Sequence, residues 1–296
     1  MLDAQFQCYI QMNRGFTTIT HPHGYMLTQD ECKFGFVRIS KNGSTSISHV
    51  PEFQLKKWSP IQGFQGGVYA ALRDPVDRFL SSIPETLMRY RHPNGSGKVN
   101  KKNQDISISY DVYDFFNYVK IDKIDHFLLQ YIELIESYGC FDAHHEPQVD
   151  FITNLNGALY HDIFLFDIAH SEHALKTIAR VEGLNENIKV ERANSGSNNL
   201  MRRYNPKTVL FKIWKAKKND NDYSYNPMYR WSSINNIPFS HARVEFYKKI
   251  KELRLNQYIC SRIEGLYEDD MSLFNQTVQS NKKPEDVYFL PMQDVP

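Results

Sequence analysis

FGFVRISKNGSTSISHV, residues 34–50, decides how the rest of the chain is read. Phe34 to Ile39 is a short apolar run with β-branched members. It breaks into Ser40-Lys41-Asn42-Gly43-Ser44-Thr45-Ser46 and resumes as Ile47-Ser48-His49-Val50. The pattern predicts a strand, a tight loop and the start of a helix. A glycine among small hydroxyl residues lets backbone N–H groups converge on one point, and a following helix presents its unpaired N–H groups and positive dipole end there. That arrangement can cradle a phosphate, with Lys41 as a mobile cation at its lip. In the common nucleotide loop GxxxxGK[ST] the lysine follows the second glycine, whereas here Lys41 precedes Gly43. An ordinary strand-to-helix turn is the plain alternative.

A second stretch, GVYAALRDPVDRFLSSI at 67–83, repeats the theme. Val68 to Leu72 suits a buried strand. Asp74 is placed to cap a helix, Pro75 fits the first helical position, and Asp77 puts negative charge in the first turn. Val76, Phe79, Leu80 and Ile83 follow helical spacing. Arg73 then sits at the strand exit, Ser81 lies two turns down the helix, and Pro84 is expected to kink or end it.

Lys-x-Gly-Ser-Thr followed about thirty residues later by Arg-Asp-Pro-x-x-Arg-x-x-Ser resembles the sulfotransferases that use 3′-phosphoadenosine-5′-phosphosulfate (PAPS). The likeness is nearest to the carbohydrate sulfotransferases of the secretory pathway. Two later segments carry it further. His144-His145-Glu146-Pro147-Gln148 is similar to that branch's His-Trp-Arg-Pro-Gln, with Trp and Arg replaced. Tyr267-Glu268-Asp269-Asp270-Met271-Ser272-Leu273-Phe274 is similar to its Tyr-x-x-Asp-Phe-x-Leu-Phe. The resemblance touches residues 34 to 274 and is thin outside these four segments.

The resemblance implies a P-loop-like three-layer α/β fold, with a short central parallel sheet flanked by helices and ligand at the carboxyl ends of its strands. Lys41, Asn42, Gly43, Ser44, Thr45 and Ser46 would hold the 5′-phosphosulfate, and Arg73 with Ser81 the 3′-phosphate. Lys41 would stabilise the departing phosphate. His144 would serve as general base, with His145 as the adjacent fallback, because imidazole titrates near neutrality. Glu52, Glu85 and His49 are outside candidates for that role. The scheme requires no metal. The acceptor would be a hydroxyl of a sugar or a phenol, on a small molecule or a glycan.

Size and composition are compatible with this. The 296 residues are expected to form one domain, with 92–109 and 200–240 as loops or insertions. Hydrophobic residues at 41% and charged residues at 23% are ordinary for a globular protein. A formal net charge of +1 gives no global attraction to nucleic acid or an anionic membrane. Lys98, Lys101 and Lys102, and Lys212, Lys215, Lys217 and Lys218, are local basic clusters that read most simply as solvated faces. Cys8, Cys32, Cys140 and Cys260 are widely spaced, without a metal or disulfide pattern, which suits a reducing compartment. The opening MLDAQFQCYIQMNRGF has neither a basic n-region nor a long apolar run, and no window of 18 apolar residues occurs. The expectation is a cytoplasmic protein, not membrane-bound, of microbial or viral type.

Elsewhere, Tyr9, Ile10, Phe16 and Ile19 are candidates to pack over a sheet edge. His21 and His23 lie on one side of an extended turn, without a third metal ligand nearby. Pro51 should end the first helix early. Tyr110 to Ser137 reads as helical, with Phe115, Phe116, Phe127, Leu128 and Tyr131 among its apolar positions. Residues 162–166 read as a strand. Ser171 should cap a helix that buries Ala174, Leu175, Ile178 and Val181. Residues 219–240 read as loop, and His241 to Phe274 as helical.

Two rivals remain. A P-loop kinase or other nucleoside-triphosphate enzyme would need an acidic strand end to hold magnesium, and no clear one stands out in the sequence. A non-enzymatic glycan-binding module is suggested by the Tyr- and Asn-rich stretch 219–240.

Overall fold

The computed structural model describes residues 25–31, 33–61, 63–89, 115–116, 118–140, 144–153, 159, 162–190 and 227–280. The residues singled out above at 1–24, 92–109 and 191–226 lie outside these, as do Cys8, Cys32, His21 and His23. Contacts divide the chain into two compact units. The first draws on Ile19–Arg78, Glu146–Asn194 and Tyr267–Pro296; the second draws on Phe79–His145 and Ser195–Leu266 together with Met1–Thr18.

The first unit holds all five described strands: β1 (Tyr25–Thr28), β2 (Phe34–Val37), β3 (Lys57–Pro60), β4 (Gly67–Leu72) and β5 (Ile163–Asp167), in the order β3-β1-β2-β4-β5. β2, β4 and β5 run parallel, with Phe36 opposite Tyr69 and Val68 opposite Ile163. β1 is antiparallel to both β2 and β3. The expected all-parallel sheet is therefore corrected to a mixed one. β1 and β3 escape sequence reading although β2, equally short, does not, because neither carries a run as apolar as that of β2. β3 is also an edge strand facing solvent, so pairing rather than burial makes it a strand.

Alternation of side chains about the sheet builds two cores. On one face Leu27, Phe34, Phe36, Tyr69, Ala71 and Phe166 pack with Ile47 and Val50 and with Ala174, Leu175 and Ile178. The helices concerned are α1 (Ser44–Ser48), with the turn after it, and α4 (Ser171–Val181). On the other face Met26, Val37, Val68, Ala70, Leu72, Ile163 and Leu165 meet Phe151, Ile152 and Leu273. Leu273 belongs to α8 (Glu268–Ser280). Buried on both faces, the parallel strands need near-continuous apolar sequence, which is why they are visible as such.

Asp74 caps α2 (Pro75–Arg89), accepting from the Asp77 N–H at 2.9 Å. The helix runs through Pro84 to Arg89, so Pro84 does not end it. Ser171 is the first residue of α4 and not its cap. The flanking residue is His170, and Asp167 caps the preceding turn through the Ala169 N–H at 2.9 Å. Val181, expected inside, is 65% exposed, and Ala179 takes the buried position.

In the second unit, the helical stretch expected from Tyr110 is interrupted. Val119 to Lys123 is non-helical before α3 (Ile124–Tyr138) begins. Residues 227–234, expected as loop, form α5 (Pro227–Ile234). α6 (Phe239–Glu252) and α7 (Gln257–Leu266) follow it. Phe127, Tyr131, Trp231 and Phe246 form this unit's aromatic centre, with Trp231 edge-on to Phe246 at 5.1 Å. No described helix is long and apolar enough to cross a membrane.

Candidate functional site

The parallel strands β2, β4 and β5 deliver three loops at their carboxyl ends, all in the first unit. After β2 the chain turns through Ser40 to Gly43. Lys41 has φ 70° and Gly43 has φ 71°, both in the left-handed region. That region suits glycine but costs a lysine about 1–2 kcal/mol. Such strain persists only where surroundings impose it, and Asn42 shows how. Asn42 is buried, with its Nδ2 donating to the Ala71 carbonyl at 2.7 Å and to Gln148 Oε1. Fixing the middle residue inward leaves the lysine before it and the glycine after it to make the turn. Gly43 also lies against Ile168, just past the end of β5. A Cβ at 43 would come within 2.5 Å of Ile168 Cδ1.

α1 begins at Ser44, and its first helical bond runs from the Ile47 N–H to the Gly43 carbonyl at 3.0 Å. The N–H groups of Gly43, Ser44 and Thr45 precede that bond, as the first N–H groups of any helix do. The helix ends at Ser48, before Pro51. Five residues carry little macrodipole, so anion binding here would rest on the N–H groups themselves.

Arg73 leaves β4, half-buried, and its Nη1 donates to the Lys41 carbonyl at 3.3 Å. The two loops expected to grasp one nucleotide therefore touch. Ser81, the other expected 3′-phosphate ligand, lies two turns farther along α2, among the residues of the second unit.

Three groups that the sequence reading left without a role hold this region together. Gln148 bonds the Arg73 backbone twice: Oε1 accepts its N–H at 3.0 Å, and Nε2 donates to its carbonyl at 2.9 Å. Arg78, 1% exposed, donates from Nε to the Ser40 carbonyl at 2.9 Å and from Nη1 to the Glu146 carbonyl. Asp270, at the start of α8, accepts the Gln148 N–H at 2.7 Å and the Val149 N–H at 2.9 Å. Burial is the dominant influence on Asp270 and lifts its carboxyl to about 6. Arg78 and the two N–H bonds pull it down, and Asp150 adds to the lift. The second arginine of Arg-Asp-Pro-x-x-Arg, Gln148 of the His-His-Glu-Pro-Gln segment and Asp270 of the Tyr-Glu-Asp-Asp segment are thus the convergence points of motifs far apart in sequence.

The histidines differ from one another. His144 is half-buried in a turn. His145 is 0% exposed, edge-on to Tyr131 at 5.3 Å and tilted against Phe79 at 5.6 Å, with Nε2 3.1 Å from the Tyr131 hydroxyl. Cys140 donates its thiol to the His145 carbonyl at 3.1 Å. Among the outside candidates, Glu85 is ion-paired with Arg243 at 2.6 Å, Glu52 sits half-buried in the turn Pro51–Phe53, and His49 is an exposed cap of α1.

One finding corrects the case against a nucleoside-triphosphate enzyme: β5 does end in an acid, Asp167. The strand expected over 162–166 runs one residue further, from Ile163 to Asp167. Asp167 is 8% exposed and serves the Ala169 N–H. Among the described residues no cluster of His, Cys, Asp or Glu is arranged to hold a metal ion. Compared with models of protein families, with curated proteins and with solved structures, the chain matches none.

Proposed function

We propose that the chain is a PAPS-dependent sulfotransferase acting on an acceptor hydroxyl, on a P-loop-like variant of the α/β fold. The observation that carries this is the meeting, at the carboxyl ends of β2 and β4, of all four segments that resemble the sulfotransferases. Lys41 to Gly43, Arg73 to Arg78, Glu146 to Gln148 and Asp270 are joined by the hydrogen bonds described above. Segments resembling one family only by accident have no reason to share one network.

The chemistry is an in-line transfer. The acceptor hydroxyl loses its proton to a base as its oxygen bonds sulfur, and the bond from sulfur to the bridging phosphate oxygen breaks. A sulfate ester and 3′,5′-bisphosphoadenosine result. Catalysis is then largely positioning and charge neutralisation. Lys41 neutralises the oxygen where charge grows, so its contribution is differential between ground and transition states. Arg73 takes the 3′-phosphate, a group that ATP lacks. His144 takes the acceptor proton, since the imidazole of His145 has no exposed surface and is engaged by the Tyr131 hydroxyl and the Phe79 ring.

The kinase alternative has one observation in its favour, the acidic end of β5 at Asp167. Thermal-shift titration separates the two. Stabilisation by 3′,5′-bisphosphoadenosine without magnesium supports sulfuryl transfer, while stabilisation only by ATP with magnesium would replace it. Arg73→Ala should remove the preference for the 3′-phosphorylated nucleotide, and unchanged binding would withdraw that residue's role.

A further inference from the structure

Gln148 is not itself among the residues proposed to hold the ligand, yet it is 0% exposed and hydrogen-bonded through both ends of its carboxamide. An amide that pairs with both the N–H and the carbonyl of Arg73 does what a neighbouring strand would do, and fixes that backbone at two points. Its Oε1 also accepts from Asn42, the buried residue between Lys41 and Gly43. Its own N–H is held by Asp270 from α8. Hydrogen bonds thus run from α8 to the Gln148 backbone, and from the Gln148 carboxamide into both loops.

We infer that Gln148 is a positioning residue, setting the spacing between the Lys41 loop and Arg73 so that one ligand is gripped by both. The ligand half of this rests on the sulfotransferase assignment; the coupling of the loops does not. The role demands a carboxamide of this length. Glutamate keeps the two accepting bonds but turns an oxygen toward the Arg73 carbonyl. Methionine keeps the volume and loses every side-chain bond, while the backbone N–H at 148 stays with Asp270.

The test uses the full chain and two measurements. Amide hydrogen exchange is followed in wild type and Gln148→Met. Exchange should rise about tenfold or more at Arg73 and at Asn42 together, while β5 and α4 keep their rates. A rise confined to Arg73, which merely lost its acceptor, or spread evenly over the unit, overturns the coupling. Calorimetry with 3′,5′-bisphosphoadenosine should show affinity about tenfold weaker in Gln148→Met. Gln148→Glu, compared with wild type at each pH, should bind relatively better at pH 6 than at pH 8, because a protonated carboxyl can again donate to the Arg73 carbonyl. Wild-type affinity in both variants, or no pH-linked recovery, overturns the positioning role. If wild type itself ignores the nucleotide, the sulfotransferase assignment falls, and exchange still decides the coupling.

Discussion

Asn42→Asp tests the architecture of the site with almost no change in shape. The side chain is buried, and its Nδ2 faces the Ala71 carbonyl at 2.7 Å and the Oε1 of Gln148. Replacing that nitrogen by oxygen sets acceptor against acceptor twice. Two hydrogen bonds are lost, at about 1 kcal/mol each. A buried charge without a compensating partner adds about 3 kcal/mol or more. The sum, about 5 kcal/mol, is comparable to the whole stability of many domains, about 5–15 kcal/mol. At a urea m-value of about 2 kcal/mol per molar, the midpoint should fall by about 2 M or more. Asn42→Ala loses the bonds without the charge and should cost less. The introduced carboxyl should have its pKa raised by burial among oxygens. The stability deficit is therefore smallest below the unfolded value of about 4 and grows as pH rises through the raised folded value. Urea unfolding followed by circular dichroism at pH 5 and pH 8 measures both effects. A variant that unfolds with wild type at pH 8, or whose deficit ignores pH, would refute the view that Asn42 pins the loop.

Four further outcomes are expected. Gly43→Ala places a methyl group at φ 71°, within 2.5 Å of the Ile168 Cδ1; about 2 kcal/mol should be lost, lowering Tm by about 4–8 °C, and an unchanged Tm would mean that the loop relaxes freely. Lys41→Ala and Lys41→Gly should both lower turnover by about two to three orders of magnitude, while Lys41→Gly, relieved of left-handed strain, melts no lower than wild type; near-normal turnover in either variant removes Lys41 from the mechanism. His145→Ala should cost about 3 kcal/mol through its aromatic cage, whereas His144→Ala should leave the melting curve alone and abolish turnover with nucleotide affinity kept; the opposite pattern exchanges their roles. Asp270 has a folded pKa of about 6 against an ordinary 3.8, so the stability it contributes is full below pH 3.8 and is lost as pH rises through 6, by roughly 3 kcal/mol in all; in Asp270→Asn that decline should vanish, and parallel stability curves for the two proteins would contradict it.

Local signals carried much of the α/β unit. β2, β4 and β5 are apolar runs long enough to be buried on both faces, and α2 announces itself through Asp74 and Pro75, whose effects act within one turn. Lys41 and Gly43 were legible as a tight loop because a glycine among hydroxyl residues needs no distant partner to be one. Where elements depend on what lies across from them, the linear pattern misled. β3 presents exposed residues and is a strand only because β1 pairs with it. Asp167 reads as a residue after a strand until the ladder to Leu72 of β4 shows that it ends one.

Residue type and spacing within about ten positions determined β2, β4 and β5, the Asp74 cap and the two loops, because those choices are settled by backbone sterics and nearby hydrogen bonds. Only the tertiary structure decided that Asn42 meets Gln148 across 106 positions and that Gln148 meets Asp270 across 122. Buried polar groups must find partners wherever the fold brings them, and sequence distance places no limit on that.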